Sequence, residues 1–320
     1  MEVVKKMCEQ IDILMATYNG ESYIEDQLDS ILGQTYENWR LIVRDDCSTD
    51  RTLSILMNYQ EMYPDKIKVL KNIRSTGSAK GNFIMLVKDS ENPYAMFADQ
   101  DDVWMPEKIQ HSMAAMKTLE KKYGDQIPLL VYTDLEVVSQ DLSVISDSFI
   151  HSMKLPTKLT VKNELIQNSV TGCTVIVNRC MLQKMNAVDD VGKMLMHDHF
   201  MGLIASVLGK AVFMNESTMK YRQHGNNSVG ASDARSFEYL KKRFLRGKKQ
   251  FQCDMVKSME QASYFLKLFG NEIKDPKMKH LIKSYSLLKN KSKLKKQVFY
   301  IKNGVLKYGL IRRIMQIIWA

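Results

Sequence analysis

The run Phe97-Ala-Asp-Gln-Asp-Asp-Val-Trp104 places three carboxylates, Asp99, Asp101 and Asp102, within four positions directly after the apolar stretch Tyr94 to Ala98. Like charges crowded at a half-buried strand end raise the free energy of the fold. A hard divalent cation relieves that cost, and Mg²⁺ sites are commonly one or two carboxylates completed by water and substrate phosphates. An Asp-x-Asp arrangement therefore suits a nucleotide diphosphate better than a self-sufficient protein cage. The competing reading is an acidic turn, with Asp102 near the N-cap of a helix that Pro106 begins.

Other residues with chemical capacity lie further along. Met196-His-Asp-His-Phe-Met-Gly202 precedes an apolar helix, where a lone acid such as Asp198 is ordinarily a cap favoured by the helix dipole. In Tyr221-Arg-Gln-His-Gly-Asn-Asn227 the glycine and asparagines imply a turn. A neutral His224 there could complete a metal's coordination or bond a diphosphate, and Arg222 could pair with a phosphate. Hard cations prefer oxygen, although Mn²⁺ accepts imidazole more readily. Lys80, in Gly77-Ser-Ala-Lys-Gly-Asn82, could approach phosphates from a glycine-bearing loop or simply be solvated. Asp134 closes the apolar run that starts at Leu129, facing either an acceptor or an ordinary turn.

The segments between these residues must hold them in place. Ile11-Asp-Ile-Leu-Met-Ala-Thr-Tyr-Asn19 reads as a buried strand ending in a polar turn. Ser22 and Glu25 have capping-box spacing, and Ile24, Leu28, Ile31 and Leu32 form a helical stripe. Leu41-Ile-Val-Arg-Asp-Asp46 is a second strand ending in acids. Ser48, Thr49 or Asp50 caps the helix carrying Leu53, Leu56, Tyr59 and Gln60, and a third strand follows from Ile67 to Leu70. Such alternation predicts a mostly parallel sheet covered on both faces, with ligands beyond the carboxyl ends of its strands. Asn19, Asp46 and the Asp99–Asp102 cluster then share one cleft.

Taken in order, Ala16-Thr-Tyr-Asn-Gly20, Gln34-Thr-Tyr36, Val43-Arg-Asp-Asp-Cys-Ser-Thr-Asp50 and Ala98-Asp-Gln-Asp-Asp-Val-Trp104 resemble family 2 glycosyltransferases over roughly residues 10 to 230. The wording of the last motif, with His197-Asp-His-Phe200 and the Tyr221–Asn227 run, is most similar to bacterial rhamnosyltransferases of polysaccharide and O-antigen assembly. The resemblance implies an α/β GT-A domain, Rossmann-like, that binds a nucleotide sugar. It implies inverting transfer of a hexose, L-rhamnose from dTDP-L-rhamnose, to a saccharide or polyprenyl-linked saccharide. Related enzymes use UDP-galactose, UDP-glucose or UDP-N-acetylglucosamine.

Carried over residue by residue, the resemblance gives Asp46 to the pyrimidine base, with Thr17, Tyr18 and Asn19 lining its pocket. It gives Asp99 to the ribose or the metal's waters, Asp101 to Mg²⁺ or Mn²⁺ at the diphosphate, and Asp198 to deprotonation of the acceptor hydroxyl. Gln100, on the opposite side of the strand from its acidic neighbours, either reads the sugar or braces the turn. Two other classes compete. A metal-dependent nucleotidyltransferase or phosphoesterase would usually carry a glycine- and arginine-rich turn where Ala16-Thr-Tyr-Asn-Gly20 stands. A non-catalytic assembly scaffold would not need Asp46, Asp101 and Asp198 together.

The chain of 320 residues accommodates a catalytic domain over 1–234 and a basic helical extension over 235–320. Its five cysteines lack paired spacing, which fits reduced thiols in the cytoplasm. The charged start, Met1 to Gln10, lacks the apolar core of a signal peptide, and no stretch approaches the ~20 apolar residues of a membrane span. From position 235 there are 22 lysines and arginines against five acids, a formal +17 in a chain of +10, so the remainder is −7. A basic tail points to an anionic surface. Its end, Leu310-Ile-Arg-Arg-Ile-Met-Gln-Ile-Ile-Trp319, suits a helix lying in a membrane interface at the inner face of the plasma membrane. The alternative is a helical subdomain packed on itself. No nucleic-acid motif accompanies the charge, so no nucleic-acid partner is expected.

Overall fold

A computed structural model of the protein describes residues 9–72, 74–224 and 247–319. Cys8, the end of the Tyr221–Asn227 motif, the 234/235 domain boundary and the basic run Tyr239 to Arg246 lie outside the described residues. Strands are β1 (Ile11–Thr17), β2 (Trp39–Asp45), β3 (Ile67–Lys71), β4 (Tyr94–Ala98), β5 (Val103–Trp104), β6 (Leu129–Val138), β7 (Val144–Ser146), β8 (Val175–Asn178) and β9 (Lys210–Arg222). They form one sheet in the order β3-β2-β1-β4-β8-β6-β9-β5, with β7 on β6.

The first four strands are mutually parallel, as their near-continuous apolar sequence requires of strands buried on both faces. Register sets Thr17 beside Asp45 and Met15 beside Ala98, so the carboxyl ends of β1, β2 and β4 open onto one edge. Beyond β4 the sheet is mixed: β8 runs antiparallel to both β4 and β6, while β9 returns parallel to β6. Asp12 is the charged exception in β1. Its buried carboxylate accepts from Ser90 Oγ, the amides of Glu91 and Asn92, and Arg40 Nε.

Side chains of β1 alternate between two apolar clusters. Ile11, Ile13 and Met15 join α1 (Ile24–Leu32) and α4 (Lys108–Tyr123) on one face. Leu14 joins α3 (Ala79–Asp89), α7 (Arg179–Asn186) and α8 (His197–Leu208) on the other. That second cluster also takes in Phe265 of α9 (Gly247–Phe269), Tyr285 of α10 (Pro276–Ser286) and Tyr300 of α11 (Lys293–Asn303). A last helix, α12 (Leu310–Trp319), contributes Ile317 and Trp319 at its margin. The described part of the basic extension is thus helical, and it shares a core with the sheet. The remaining helices are α2 (Thr52–Met62), α5 (Phe149–Ser152) and α6 (Val161–Glu164).

Three local expectations are corrected. Ser22 does not cap α1; Gly20 O accepts from the amides of Tyr23 and Ile24 instead. Asp102 does not cap α4, which starts six residues later, and its side chain is wholly buried. Asp134 is no strand end, since β6 continues to Val138. Its carboxylate accepts from the amides of Leu135 and Ile150, which ties down α5. At α2 the N-cap position falls on Arg51, which makes no side-chain cap, and Asp50 Oδ1, one residue earlier, accepts from the Thr52 amide at 2.9 Å.

Candidate functional site

The parallel edge is stitched together before any ligand is considered. Thr17 Oγ1 donates to Asp45 Oδ1 at 2.9 Å and is buried. Asn19 takes a left-handed φ of 48°, a conformation asparagine tolerates, and its Oδ1 accepts from the Thr49 amide at 2.8 Å. Gln100 clasps the next turn from the other side. Its Oε1 accepts from Tyr18 N at 2.7 Å and its Nε2 donates to Tyr18 O at 2.9 Å. A Cβ on Gly20 would stand 2.5 Å from that amide, so a larger residue there would displace the Gln100 side chain from its clasp. Gln100 is therefore a brace, and Tyr18 projects its ring into solvent.

Asp46 follows β2 and is buried. Its carboxylate accepts from Thr76 N at 2.6 Å, Ser75 Oγ at 2.9 Å and Gly77 N at 3.0 Å. A carboxylate offers about four acceptor positions, so Oδ1 retains one for a further donor.

At the end of β4 the acids diverge in role. Asp101 Oδ2 lies 2.8 Å from His224 Nε2, and the imidazole stacks on Tyr23 with centroids 4.6 Å apart. Asp102 turns inward, where Oδ1 accepts from the Arg222 amide at 3.3 Å and Oδ2 has no partner among the described residues. Burial first, then the charges of Asp101 and Asp99, holds its carboxyl well above the ordinary range. Asp99 is pushed up to about 7 by burial, then by Asp101 and Asp198. One oxygen each of Asp99 and Asp102 lies within 4.8 Å of the other and of Cys173 Sγ.

The 3₁₀ turn Gly172–Thr174 joins this cluster to Asp198. Cys173 faces the acids, while the Gly172 amide donates to Asp198 Oδ2 at 3.1 Å. Asp198 Oδ1 accepts from the His199 amide at 2.6 Å. Burial raises the Asp198 carboxyl to about 6 against the pull of its hydrogen bonds. The flanking histidines anchor the helix start. His197 is wedged against Phe83 and Phe97, and burial drives it down to about 3. His199 Nε2 meets the Glu164 carbonyl at 2.7 Å, and burial lowers it to about 4. Both are neutral near pH 7, leaving Asp198 as the titrating group of the motif.

The two side chains expected at phosphate both bond protein groups here. The buried Arg222 guanidinium reaches Asp101 O, Gln140 O and, at 2.6 Å, Asp26 Oδ2, so it locks β9 to the acidic turn. Lys80 Nζ donates to Met194 O at 2.6 Å, tying α3 to the segment before α8. Sequence reasoning missed Cys173, Asp45 and the buried Lys108, whose Nζ donates to Thr218 Oγ1 at 3.1 Å and which burial depresses to about 8. The doubled acid Asp45-Asp46 was a usable signal for Asp45. Nothing in the sequence marks Lys108, whereas Cys173 lies in Thr171-Gly-Cys-Thr174, a readable turn before the apolar run Val175-Ile-Val177.

The ligand atoms that converge among the described residues are those of Asp99, Asp102 and Cys173, and the two carboxylates of that set, with the unpartnered Asp102 oxygen, are of the kind a divalent cation accepts; Asp101 pairs with His224 beside them.

Residues 12–164 match the family model "Glycosyl transferase family 2". The dTDP-rhamnosyl transferase RfbG of Shigella flexneri is 30% identical over 247 residues, which cover 73% of this chain and 80% of that protein. The UDP-Glc:alpha-D-GlcNAc-diphosphoundecaprenol beta-1,3-glucosyltransferase WfgD of Escherichia coli is 29% identical over 170 residues, covering 53% and 62%. The fold is similar to that of S. aureus TarS 1-349 in complex with UDP-GlcNAc, with a TM-score of 0.55, 17% identity, and coverage of 92% of this chain and 87% of that one. The GT-A expectation is met by this likeness.

Proposed function

The chain belongs to glycosyl transferase family 2, and on that premise we propose that it transfers a hexose with inversion, L-rhamnose from dTDP-L-rhamnose, in bacterial surface-polysaccharide assembly. The acceptor is a saccharide or polyprenyl-linked saccharide. One observation carries the reading: a single turn, Gly172–Thr174, links the acids after β4 to Asp198, and Asp99 senses the charge of both Asp101 and Asp198.

The remaining acceptor position on Asp46 Oδ1 receives the imide N–H that thymine and uracil share, with Tyr18 and the Thr17–Asn19 turn beside it. Asp101, Asp99 and His224 would hold Mg²⁺ or Mn²⁺, which supplies charge neutralisation for the departing diphosphate. Asp198 removes the acceptor proton as that oxygen attacks the anomeric carbon, and a carboxyl poised at about 6 is ionised near pH 7 yet basic enough to share a proton in the transition state. The amides of Gly172 and His199 fix its orientation.

The choice of rhamnose is supported by the coverage and identity of the Shigella relative. It is tested by incubating the protein with dTDP-L-rhamnose, UDP-galactose, UDP-glucose and UDP-N-acetylglucosamine, with and without Mn²⁺, and measuring thermal stabilisation and nucleotide release. Mn²⁺-dependent stabilisation by dTDP-L-rhamnose is expected. A larger response to a UDP-sugar moves the donor assignment, and no response to any of them defeats the transfer reading.

A further inference from the structure

Far along the chain, α12 is built with its polar side inward. Arg312 and Gln316 are buried, whereas Leu310, Ile311, Ile314 and Ile318 are 48–75% exposed. At 3.6 residues per turn those four share one arc of the helix. The buried side is pinned: Arg312 Nη1 donates to Met153 O at 2.9 Å, Gln316 Nε2 to Val305 O at 2.9 Å, and Gln316 Oε1 accepts from Lys307 N at 2.7 Å. The helix cannot roll its aliphatic face inward without breaking these bonds.

The neighbouring α11 repeats the pattern. Leu294, Val298 and Ile301, spaced i, i+4, i+7, are 55–70% exposed while Tyr300 points into the core. Lys293 Nζ and Gln297 Nε2 donate to the carbonyls of Ile318 and Ile317, so the two helices are joined and their aliphatic stripes belong to adjacent elements. Scattered surface aliphatics need no explanation, but seven on two linked helices do. The charge around them has one sign. Residues 289–319 contain nine lysines and arginines and no acid, and Lys291, Lys295, Lys302 and Arg313 are exposed.

A partner for this face must offer hydrocarbon at its centre and negative charge at its rim. An anionic lipid leaflet offers both, whereas nucleic acid offers phosphate without a hydrocarbon bed. No described helix is long and apolar enough to cross a membrane, so contact lies in the interfacial plane. We propose that the joined α11–α12 face docks on an anionic lipid bilayer, its seven aliphatics at the acyl boundary and its lysines among the headgroup phosphates. This surface is separate from the cleft and does not depend on the sugar-transfer reading.

The test is flotation of the full chain with phosphatidylcholine vesicles, with or without phosphatidylglycerol. Wild type floats with the anionic vesicles, and raising salt weakens the association. Two double variants, Ile314→Glu with Ile318→Glu and Leu294→Glu with Ile301→Glu, alter only exposed positions. Each lowers the bound-to-free ratio by about tenfold or more while circular dichroism and the melting temperature stay at wild-type levels. Lys295→Glu with Lys302→Glu provides a further arm, removing the preference for anionic over neutral vesicles. Wild type that stays in the soluble fraction overturns the proposal. So do glutamate variants that float as wild type, or a wild-type dimer that the glutamate variants dissociate without altering flotation.

Discussion

At the scale of single residues, chemistry concentrates in carboxyls whose burial is incompletely offset. Asp198→Asn keeps the shape and the amide contacts but cannot take a proton. Transfer is expected to fall at least ~100-fold with donor affinity unchanged, as in loss of a general base. In the wild type, transfer efficiency should decline as pH drops through about 6, because protonation removes the base. A collapse of donor binding with kcat intact would place Asp198 in the nucleotide site. Asp101→Asn removes the partner of His224 and is expected to abolish Mn²⁺-dependent nucleotide binding with little change in melting temperature. Isothermal titration with Mn²⁺ and nucleotide checks this, and unaltered titration contradicts it. Glu164 offers a stability counterpart. Wholly buried against Gly202, it is raised by burial to about 8, so the fold favours its neutral form. Its contribution is fully present below the ordinary carboxyl value and is lost as pH rises toward 8. Glu164→Gln should therefore gain melting temperature relative to wild type at pH 8 and little at pH 5. Equal differences at both values would mean that the carboxyl does not titrate in this range.

At the scale of elements, the site depends on junctions where strands and helices stop. The turn after β1 is fixed by Gln100 from β4 and by Ser48 and Thr49 after β2, so three strand ends move as one unit. The start of α8 is held by neutral histidines on either side of Asp198, which fixes the carboxylate by packing against α3 and α6. The far end of α8 has an equally tight constraint. A Cβ on Gly209 would lie 1.8 Å from Pro128 O, a backbone atom that cannot rotate away. Gly209→Ala is expected to destabilise by about 3 kcal/mol, the upper end of overpacking costs. Denaturant unfolding measures it, and a loss below ~1 kcal/mol would show that the α8–β9 junction shifts freely.

At the scale of the whole molecule, the C-terminal helices complete one face of the sheet. Phe265, Tyr285 and Tyr300 pack in the same apolar cluster as Phe83, Met181 and Phe200, and Tyr264 Oη accepts from the amides of Asp189 and Asp190 just before α8. A chain ending at residue 246 would expose that face. It is expected to be insoluble or to lose cooperative unfolding, with a calorimetric scan as the check. An active, cooperatively melting truncation would show that the catalytic part folds alone. The same helices put the basic charge on the outer side of the molecule, so one element both closes the core and presents the lysine-bounded aliphatic surface.

Much of this protein is legible in its sequence. The apolar runs of β1, β2 and β4 and the acids that follow them specify a parallel edge lined with carboxylates, because strands buried on both faces cannot vary much in pattern. The order of Ala16–Gly20, Asp45-Asp46 and Asp99–Asp102 carried the family. Tertiary structure alone decided what each polar group does. Gln100, Arg222 and Lys80 are turned onto protein acceptors, because a buried donor must be satisfied by whatever carbonyl or carboxylate the fold brings near. Asp102 is buried while Asp101 meets His224, a choice made by β9 crossing from more than a hundred residues away. The direction of α12 was also a tertiary outcome. Its sequence announces an amphipathic helix, but only the carbonyls of Met153 and Val305 determine that the arginine and glutamine face inward and the isoleucines face out.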